Sequence, residues 1–514
     1  MNGNATNGCF EPKTPIQKFY EGETIFITGG TGFLGRMLIE KLVRTCMDVD
    51  RLYVLVRPKK GIDAVDRVES MLEDPVFDCM KKQVPMWRKK IVVVSGDCTK
   101  PGLELSETDK ITLQENTTIV FHLAATVRFD EKLKRATTIN VGGTREMLIT
   151  MSMHMKKLKS FVHVSTAFSN CTRKYIDEKF YEAPIKGDSL LDIVERLSEE
   201  DLEVVADKLI GNFPNTYTYT KCIAEDMVRE YGQNLPIGIF RPAIVISTYK
   251  EPLEGWCYHV YGPSGICVGT AAGLVRVIQL DVHKTAQIIP VDLTVNALLA
   301  IAWDIANKKE KDDTEIPIYN YHSSWTNRIT WKSYIDLAFK FGCQIPSAKS
   351  IWCYTLTTTP NIFVYNFLSI IFHILPGIFI DFALLFTGRK PRIIKAYKKI
   401  HKHLSLIEYF GLREWIFSNP NTQKLWDNLD ARDRELFYFS MKDFDWEDYM
   451  IKYIRGLRLY IFQEDFSTVP VAKKRQTRYV YTRTRTVLRH ICISVTAVMY
   501  VLSNMLEGSV TKSP

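Results

Sequence analysis

The chain has 514 residues, so it exceeds one ordinary domain, and its hydrophobic fraction of 46% can supply a sizeable core. Its eleven cysteines contain no CxxC pair and no regular framework, which argues against a disulfide scaffold. Residues 1–20 lack the basic start and apolar core of a secretory signal, so we expect reduced thiols in the cytosol. The net charge of +9 is concentrated in segments of the C-terminal half, and nothing in it requires a nucleic acid.

A short apolar strand followed at once by a glycine-rich turn occupies residues 24–35, TIFITGGTGFLG. The run at 25–27 is typical of a parallel strand buried on both faces. Gly29 can take backbone angles closed to other residues, Gly32 leaves room for phosphates, and Gly35 lets the following helix pack closely. The helix N-terminus then faces a dinucleotide pyrophosphate, although a tight turn without a ligand is the alternative for this segment alone. The pattern assigns these residues to cofactor binding: Thr28, Gly29, Thr31, Gly32, Phe33, Leu34 and Gly35.

The end of the second strand distinguishes between the two nicotinamide dinucleotides. Residues 51–56 form this strand, and an NAD enzyme would usually end it in Asp or Glu to hold the ribose hydroxyls. Here it ends in Arg57-Pro-Lys-Lys-Gly61. A cationic cluster suits a 2′-phosphate, so Arg57, helped by Lys59 or Lys60, predicts NADPH. A solvated basic loop is the alternative.

Two further strand ends add expected cofactor contacts. After the third strand, at 91–94, the carboxylate of Asp97 can accept a hydrogen bond from the adenine amino group. The fourth strand, at 118–122, ends in HLAA, where Ala124 and Ala125 are small enough to let the cofactor lie across the strand tip. Binding at the carboxyl ends of parallel strands is what this architecture predicts.

The chemistry needs a proton donor beside the hydride acceptor, and two Tyr-x-x-x-Lys spacings are present. Residues four apart share a helix face, so the lysine can lie beside the tyrosine and the cofactor ribose. There it would favour the phenolate and bring a phenol pKa of about 10 towards neutrality. Tyr217 and Lys221 lead into a helical pattern and are favoured. Tyr175 and Lys179 lie in a charged segment that is better interpreted as a surface loop.

A hydroxyl at the end of the fifth strand, at 161–166, is expected to complete the catalytic set. Thr166 is the first choice and Ser165 the second, because either can hydrogen-bond the substrate oxygen. The alternative for both is a hydroxyl that satisfies local backbone. His122 and His163 lie in or beside apolar strands, where a lone histidine is more often structural.

These motifs resemble a known family. TGGTGFLG, HLAA, VSTAF ending at Phe168, and YTYTK from Tyr217 look like an extended short-chain dehydrogenase/reductase. More narrowly, five blocks resemble the fatty acyl-CoA reductases, the male-sterility family of alcohol-forming reductases. They are PNTYTYTKCIAE from Pro214, FRPAIVIST from Phe240, GWCYHVYGPSGICVG from Gly255, IIPVDLTVNA from Ile288 and IRGLRLYIFQED from Ile454. The likeness spans residues 20–465 and is most specific over 214–297.

The resemblance implies reduction of a long-chain acyl-CoA thioester to the primary alcohol, through an aldehyde, with two NADPH and release of CoA. Tyr217 would protonate or hydrogen-bond the developing oxyanion with Thr166 beside it, and Lys221 would orient the nicotinamide ribose. No metal is needed. One alternative is a sterol or sugar-nucleotide dehydrogenase/epimerase, which would favour an acidic residue in place of Arg57. Another is a catalytically silent membrane protein that uses the fold as a binding module.

Two later segments predict contact with a membrane. Residues 351–380 contain no Asp, Glu, Lys or Arg, and 362–380 is 19 residues long, close to a bilayer span. Asn366, His373 and Pro376 interrupt it, which favours a buried or membrane-dipping hairpin that shelters an acyl chain over a spanning helix. The basic residues within 389–392 and 395–402 can meet anionic lipid, CoA phosphates or only solvent.

The second segment, residues 491–506, is a run of 16 uncharged, mostly apolar residues that follows a basic stretch. At about 1.5 Å per residue it reaches about 24 Å, short of a roughly 30 Å hydrocarbon core unless Val487 and Leu488 join it and Arg489 snorkels. The positive flank would keep the catalytic domain in the cytosol, at the endoplasmic reticulum or peroxisome membrane. The expected partners are long-chain acyl-CoA and membrane lipid; homodimer formation stays open.

The predicted fold class is α/β, with a doubly wound parallel sheet of the Rossmann type and a smaller, mostly helical C-terminal domain. A flexible tail covers 1–20, and an NADPH-binding domain with substrate-binding segments covers 21–345. The C-terminal reductase domain covers 350–465. A basic linker and membrane-anchor segment covers 466–514.

Overall fold

The structure is a computed structural model, which describes residues 12–309, 315–323, 327–388 and 390–482. The predicted membrane anchor at 491–506 lies outside the described residues. The described end of the predicted tail differs from the prediction, because Pro15–Tyr20 form a helix that buries Ile16 and Tyr20. The Tyr20 hydroxyl donates to the carbonyl of Leu299 at 2.9 Å, which fixes this helix to the core.

The strands of the described residues are, in chain order, β1 Thr24–Thr28, β2 Arg51–Val56, β3 Ile91–Ser95, β4 Ile119–His122, β5 Ser160–Val164, β6 Tyr175–Ile176, β7 Ile237–Pro242, β8 Ile244–Ile246, β9 Val277–Gln279, β10 Ile288–Pro290, β11 Ile318–Tyr321, β12 Thr357–Thr359 and β13 Ile416–Phe417. Seven of them form one sheet in the order β11-β7-β5-β4-β1-β2-β3, and every pairing in it is parallel. The predicted doubly wound sheet is therefore confirmed.

The α-helices of the described residues include α1 Pro15–Tyr20, α2 Phe33–Thr45, α3 Ala64–Leu72, α4 Asp78–Gln83, α5 Trp87–Lys90, α6 Glu107–Asn116, α7 Leu133–Thr137, α8 Gly143–Glu146, α9 Gly187–Arg196, α10 Glu199–Ile210, α11 Thr216–Tyr231, α12 Gly262–Ala271, α13 Val291–Lys309, α14 Trp331–Gly342, α15 Ile362–Ser369, α16 Leu375–Phe386, α17 Ile393–Leu412, α18 Pro420–Asn428, α19 Ala431–Leu436 and α20 Trp446–Gly456. Residues 469–482 are helical as well. A π-helical turn joins α15 to α16, so that they form one continuous helix.

The order of strands changes direction at β1, since β2 and β3 extend the sheet to one side and β4, β5, β7 and β11 to the other. Ligands of such sheets bind outside the carboxyl ends of the strands at this switch point. Strand β1 is buried throughout, as its uninterrupted apolar run requires. The switch point thus lies at the glycine-rich turn.

The C-terminal helical region packs onto the sheet domain and shares its largest core. Strand β13 of the C-terminal region pairs with β6, the short strand that follows β5 in the chain. This pairing joins the C-terminal region to the sheet domain. The buried carboxylate of Glu178 accepts hydrogen bonds from the N–H groups of Asn320 at 2.7 Å and Asn421 at 2.5 Å. Burial raises the pKa of Glu178 to about 7.

The apolar segment forms one continuous helix, which Asn366, His373 and Pro376 do not break, and the expected hairpin is instead formed by this helix and α17. Among the described residues, the helix Ile362–Phe386 is long and apolar enough to cross a membrane by length and composition. It extends six residues beyond the predicted end at 380 because Asp381 is turned inward, where it caps α17 by accepting the N–H groups of Arg392, Ile393 and Ile394. Helix α17 then runs back along the apolar helix.

Candidate active site

The glycine turn joins β1 to α2 in the predicted geometry. Gly29 has a φ of +73°, which favours glycine, and a Cβ there would lie 2.7 Å from the backbone of Leu123. A Cβ on Gly35 would lie 2.4 Å from the carbonyl oxygen of Gly29, so the helix packs directly on the turn. Chain neighbours aside, the only atom of the described residues within 4 Å of a Cβ on Gly32 would be this same oxygen, at 3.2 Å, so the space before the turn stays open. These features fit a pyrophosphate at the N-terminus of α2.

Four neighbours of these glycines are assigned to the cofactor by sequence: Thr28, Thr31, Phe33 and Leu34. The hydroxyl of Thr28 is fully buried, where it bonds His122 Nδ1 at 2.8 Å and accepts the N–H of Ala124 at 3.2 Å. The ring of Phe33 stacks on Trp256 with centroids 5.4 Å apart. Helix α2 begins at Phe33 and no side chain caps it, which leaves its first N–H groups for an anion. Thr28 and Phe33 thus pack against the turn, and the assignment of all four residues to cofactor binding stays a prediction.

Positive charge surrounds the end of β2. Arg57 is half-buried, and Lys59 and Lys60 are exposed. Partial burial lowers the pKa of Lys59, and repulsion from Arg57 and from Arg67 lowers it further. A bound dianion would relieve this repulsion, because an opposite charge stabilises the charged forms. The cluster can hold an anion.

The remaining predicted cofactor residues lie beside this cluster or beside the glycine turn. The carboxylate of Asp97 is 3.6 Å from the guanidinium of Arg57 and accepts the N–H of Thr99 at 3.0 Å. Ala124 and Ala125 follow β4 and are half-buried. Small side chains at the tip of β4 keep the crevice at the switch point open.

Tyr217, Lys221 and Thr166 come together at the carboxyl edge of the sheet. Tyr217 lies in the first turn of α11, whose N-terminus is capped by Asn215. The Thr166 side chain follows β5, accepts the N–H of Phe168 at 3.2 Å and lies beside the Tyr217 side chain. Lys221 is 2% exposed and donates from Nζ to the carbonyl of Val164 at 2.7 Å. The predicted set thus occupies one place, and the catalytic roles remain a prediction.

The protonation of this set differs from the sequence-based expectation. Burial raises the pKa of Tyr217 to about 12, with the Thr166 hydrogen bond lowering it in part. Burial lowers the pKa of Lys221 to about 8, and the nearby Glu225 raises it in part. The expected depression of the tyrosine pKa by Lys221 is wrong for this arrangement, because the ammonium group is directed to the Val164 carbonyl. Tyr217 is therefore a protonated donor at neutral pH.

Ser165, the second candidate for the catalytic hydroxyl, belongs to a buried ionic network with Glu225 and Arg241. Its Oγ donates to Glu225 at 2.5 Å, and Arg241 forms two hydrogen bonds to the same carboxylate, at 2.9 and 2.6 Å. Arg241 also donates to the carbonyls of Asp177 and Lys179. Sequence reasoning missed Glu225 and Arg241, although both lie within the blocks that carry the resemblance. Their role is to hold α11 against the sheet.

Asn140 is a second residue that the sequence did not single out. Its side-chain amide donates to Thr220 Oγ1 at 2.9 Å and to the carbonyl of Thr126 at 3.2 Å, and its Oδ1 accepts the Thr126 N–H. It lies in a π-helical turn, Thr138–Gly142, which is a frequent feature of functional sites. Asn140 thus ties the loop after β4 to α11.

The other candidates lie away from this set or serve the fold. Tyr175 is 61% exposed, and it belongs to the short strand β6 rather than to a loop. His122 and His163 are fully buried, and burial lowers the pKa of His122 to about 3. The ring of His122 bonds Thr28 and Thr144. It has a structural role, as predicted for a lone histidine in an apolar strand.

The fold and the site define a nicotinamide-dependent oxidoreductase of the extended short-chain dehydrogenase/reductase type. Solved structures with the same fold include the terminal R domain of the myxalamid biosynthetic pathway, at 20% identity and a TM-score of 0.55, covering 86% of this chain and 92% of that one. The reductase domain of a nonribosomal peptide synthetase from Mycobacterium tuberculosis gives 19% identity and a TM-score of 0.56, covering 87% and 93%.

Sequence comparison identifies the family. Family models described as "Male sterility protein" match residues 27–298 and 372–464. The chain is 45% identical to "Fatty acyl-CoA reductase wat" of Drosophila melanogaster, covering 91% of this chain and 89% of the relative. It is 36% identical to "Fatty acyl-CoA reductase 1" of Homo sapiens, covering 89% and 88%. The chain belongs to the male sterility family of reductases.

Proposed function

We propose that this enzyme reduces long-chain fatty acyl-CoA to the primary alcohol, through an aldehyde, with two NADPH per alcohol. The observation that carries the proposal is the meeting of Tyr217, Thr166 and Lys221 at the same carboxyl edge of the sheet as the glycine turn. Membership of the male sterility family supports the substrate class, since the curated relatives above are named fatty acyl-CoA reductases.

Tyr217 and Thr166 are the groups that handle the substrate oxygen. When bound, NADPH supplies hydride to the carbonyl carbon. As negative charge develops on the carbonyl oxygen, the two hydroxyls donate hydrogen bonds to it. Tyr217 then gives its proton, because burial keeps it protonated at neutral pH. The first product is a thiohemiacetal.

Collapse of the thiohemiacetal to the aldehyde breaks the carbon–sulfur bond and releases CoA thiolate, which takes up a proton. The aldehyde oxygen then occupies the same position between Thr166 and Tyr217 for the second reduction. One acyl-CoA, two NADPH and two protons thus give one alcohol, one CoA and two NADP⁺. Lys221, held by the Val164 carbonyl, orients the nicotinamide ribose and supplies positive charge while it remains protonated.

The basic cluster at the end of β2 supports NADPH over NADH. Arg57, Lys59 and Lys60 would hold the 2′-phosphate. The carboxylate of Asp97 would accept a hydrogen bond from the adenine amino group. Arg57 occupies the place where an NAD enzyme usually has a carboxylate. Desolvation, and after it repulsion from Arg57 and Arg67, lowers the pKa of Lys59, and this crowding of cations supports a site that takes an anion.

The helical hairpin supports attachment to the cytosolic surface of a membrane. The rings of Phe363, Phe379 and Phe386 are 80%, 70% and 77% exposed, so one long face of the apolar helix is left uncovered by the residues that the structure describes. A lipid surface would cover this face. Lysines on the adjacent helix α17 would meet anionic headgroups.

The same hairpin supports a helix that lies in the membrane surface instead of spanning it. The apolar helix contacts α17 through the pairs Tyr365–His401, His373–Tyr397 and Gly377–Ile394. The outer face of α17 carries the exposed lysines Lys395, Lys398, Lys399 and Lys402. A spanning helix would draw them into hydrocarbon, at a cost of about 2.5–3.5 kcal/mol each near the bilayer centre.

The test is to follow NADPH oxidation by the full-length protein in membranes with stearoyl-CoA and to identify the lipid products by mass spectrometry. Two NADPH consumed for each stearyl alcohol would support the proposal. Stearaldehyde as the final product would contradict the alcohol. The absence of acyl-CoA-dependent oxidation, in protein shown to bind NADPH, would overturn the proposal.

A further inference from the structure

An aromatic contact links the catalytic tyrosine to the C-terminal helical region. The ring of Phe129, on the loop after β4, stacks on Tyr217 with centroids 5.9 Å apart and planes 20° from parallel. Phe129 also packs against Phe410 of α17, at 5.4 Å. Neither Phe129 nor Phe410 lies in a motif that the sequence singled out, and both are half-buried.

The loop that carries Phe129 is held at both ends. At its start, the backbone N–H and carbonyl of Thr126 bond the side chain of Asn140. At its end, the carbonyl of Glu131 accepts the hydroxyl of Thr216, directly before Tyr217. Between them, Asp130 forms a 2.9 Å ion pair with Lys402 of α17. Phe129 is therefore placed against Tyr217 by contacts to three elements.

Phe410 is held in place by aromatic contacts with Phe168 and Trp415. Its ring meets Phe168 edge-on at 5.2 Å, and Trp415 lies 5.8 Å away. The indole N–H of Trp415 donates to the carbonyl of Cys171 at 2.9 Å, which fixes this cluster to the segment after β5. Phe129 and Phe410 thus form a continuous apolar wall beside the ring of Tyr217.

The proposed reaction brings the first methylenes of the acyl chain next to this wall. The reacting carbonyl carbon must lie beside the Tyr217 hydroxyl, so the first methylenes of the acyl chain lie within a few ångströms of whatever covers that tyrosine. The wall is apolar, as a saturated chain requires, and aromatic rings in fixed positions leave little room for extra bulk.

On the basis of the proposed function, we propose that Phe129 and Phe410 position the first carbons of the acyl chain beside Tyr217. They are specificity-determining residues that select an unbranched carbon next to the carbonyl. One additional methyl group in a close-fitting apolar site changes kcat/KM by about 10- to 200-fold, which is enough to exclude a branched chain.

The experiment compares hexadecanoyl-CoA with 2-methylhexadecanoyl-CoA in the full-length wild type and in Phe410→Ala and Phe129→Ala. We expect the branched-to-linear ratio of kcat/KM to rise at least about tenfold in each variant. Phe410→Tyr keeps the ring and should keep the wild-type ratio. Phe213→Leu is the matched control, because Phe213 is a half-buried ring that contacts Tyr219 on the same catalytic helix and lies outside the wall.

General damage to the fold would reduce turnover of both substrates and leave their ratio unchanged, so the ratio separates specificity from stability. An unchanged ratio in active Phe410→Ala and Phe129→Ala would overturn the inference. If either alanine variant is inactive, Phe410→Leu and Phe129→Leu provide the same comparison with less lost volume. A wild type that reduces neither substrate would instead refute the proposed function.

Discussion

The ammonium group of Lys221 donates to the carbonyl of Val164 at 2.7 Å, at the point where β5 ends, directly before Ser165 and Thr166. This bond fixes α11 against the sheet edge and places Tyr217, one turn earlier, beside Thr166. Burial lowers the pKa of Lys221 to about 8, and the nearby Glu225 raises it in part. Its protonation is therefore coupled to the geometry of the site.

Tyr217→Phe should lower kcat by about 10²- to 10⁴-fold, because it removes the group that donates the proton. The affinity for NADPH should stay near that of the wild type, as measured by fluorescence titration. Tyr219→Phe is the matched control, since within the described structure the Tyr219 hydroxyl is buried and has no hydrogen-bond partner. Near-wild-type turnover in Tyr217→Phe would sink the catalytic assignment.

Activity should fall as pH rises through about 8, because burial lowers the pKa of Lys221 to about 8 and its charge is lost above that value. The measurement is kcat between pH 6 and 10. Lys221→Arg keeps its charge across this range, so any residual activity should lack the alkaline decline. A wild-type profile that stays flat to pH 10 would contradict a role for the charged amine.

Arg57→Glu should weaken NADPH binding by about 10- to 100-fold, as expected for loss of hydrogen bonds to a charged phosphate, and leave NADH binding much less affected. Repulsion from the neighbouring Asp97 adds to the effect. Lys424→Glu, an equal charge change at an exposed position on α18, should leave both affinities unchanged. Equal losses for NADPH and NADH would show that Arg57 does not read the 2′-phosphate.

Arg241→Met should destabilise the protein by about 3–5 kcal/mol, because it leaves the Glu225 carboxylate buried without its partner. Lys332→Met breaks the exposed Lys332–Asp336 pair and should cost about 1 kcal/mol or less. Chemical denaturation of the two variants makes the comparison. Similar small losses in both would mean that the buried network does not hold α11 in place.

The apolar helix Ile362–Phe386 should crosslink to a photoactivatable phospholipid in vesicles with anionic lipid, while Val204, an equally exposed apolar residue on α10, should not. Lys395, Lys398, Lys399 and Lys402 should stay reactive towards a membrane-impermeant amine reagent on the protein side. Protection of all four lysines would indicate a spanning arrangement. Absence of lipid crosslinks in 362–386 would refute contact between this helix and the membrane.

The sequence by itself determined the nucleotide-binding half of the molecule. Short-range rules were enough there, because a buried parallel strand, a glycine turn and a helix are read from consecutive residues such as Gly29 and Gly35. The Tyr-x-x-x-Lys spacing likewise placed Tyr217 and Lys221 on one helix face, since helical periodicity fixes it.

Only the tertiary structure shows which distant residues surround Tyr217 and Lys221. Burial by distant segments of the chain raises the pKa of Tyr217. The packing of α11 on the sheet brings Lys221 to the Val164 carbonyl. Phe410 lies almost two hundred residues after Tyr217 in the chain, and no local pattern brings the two together. The sequence could find the apolar run at 362–380, but its pairing with α17 depends on long-range packing. The fold follows from local patterns in the sequence, whereas the shape of the substrate site depends on these long-range contacts.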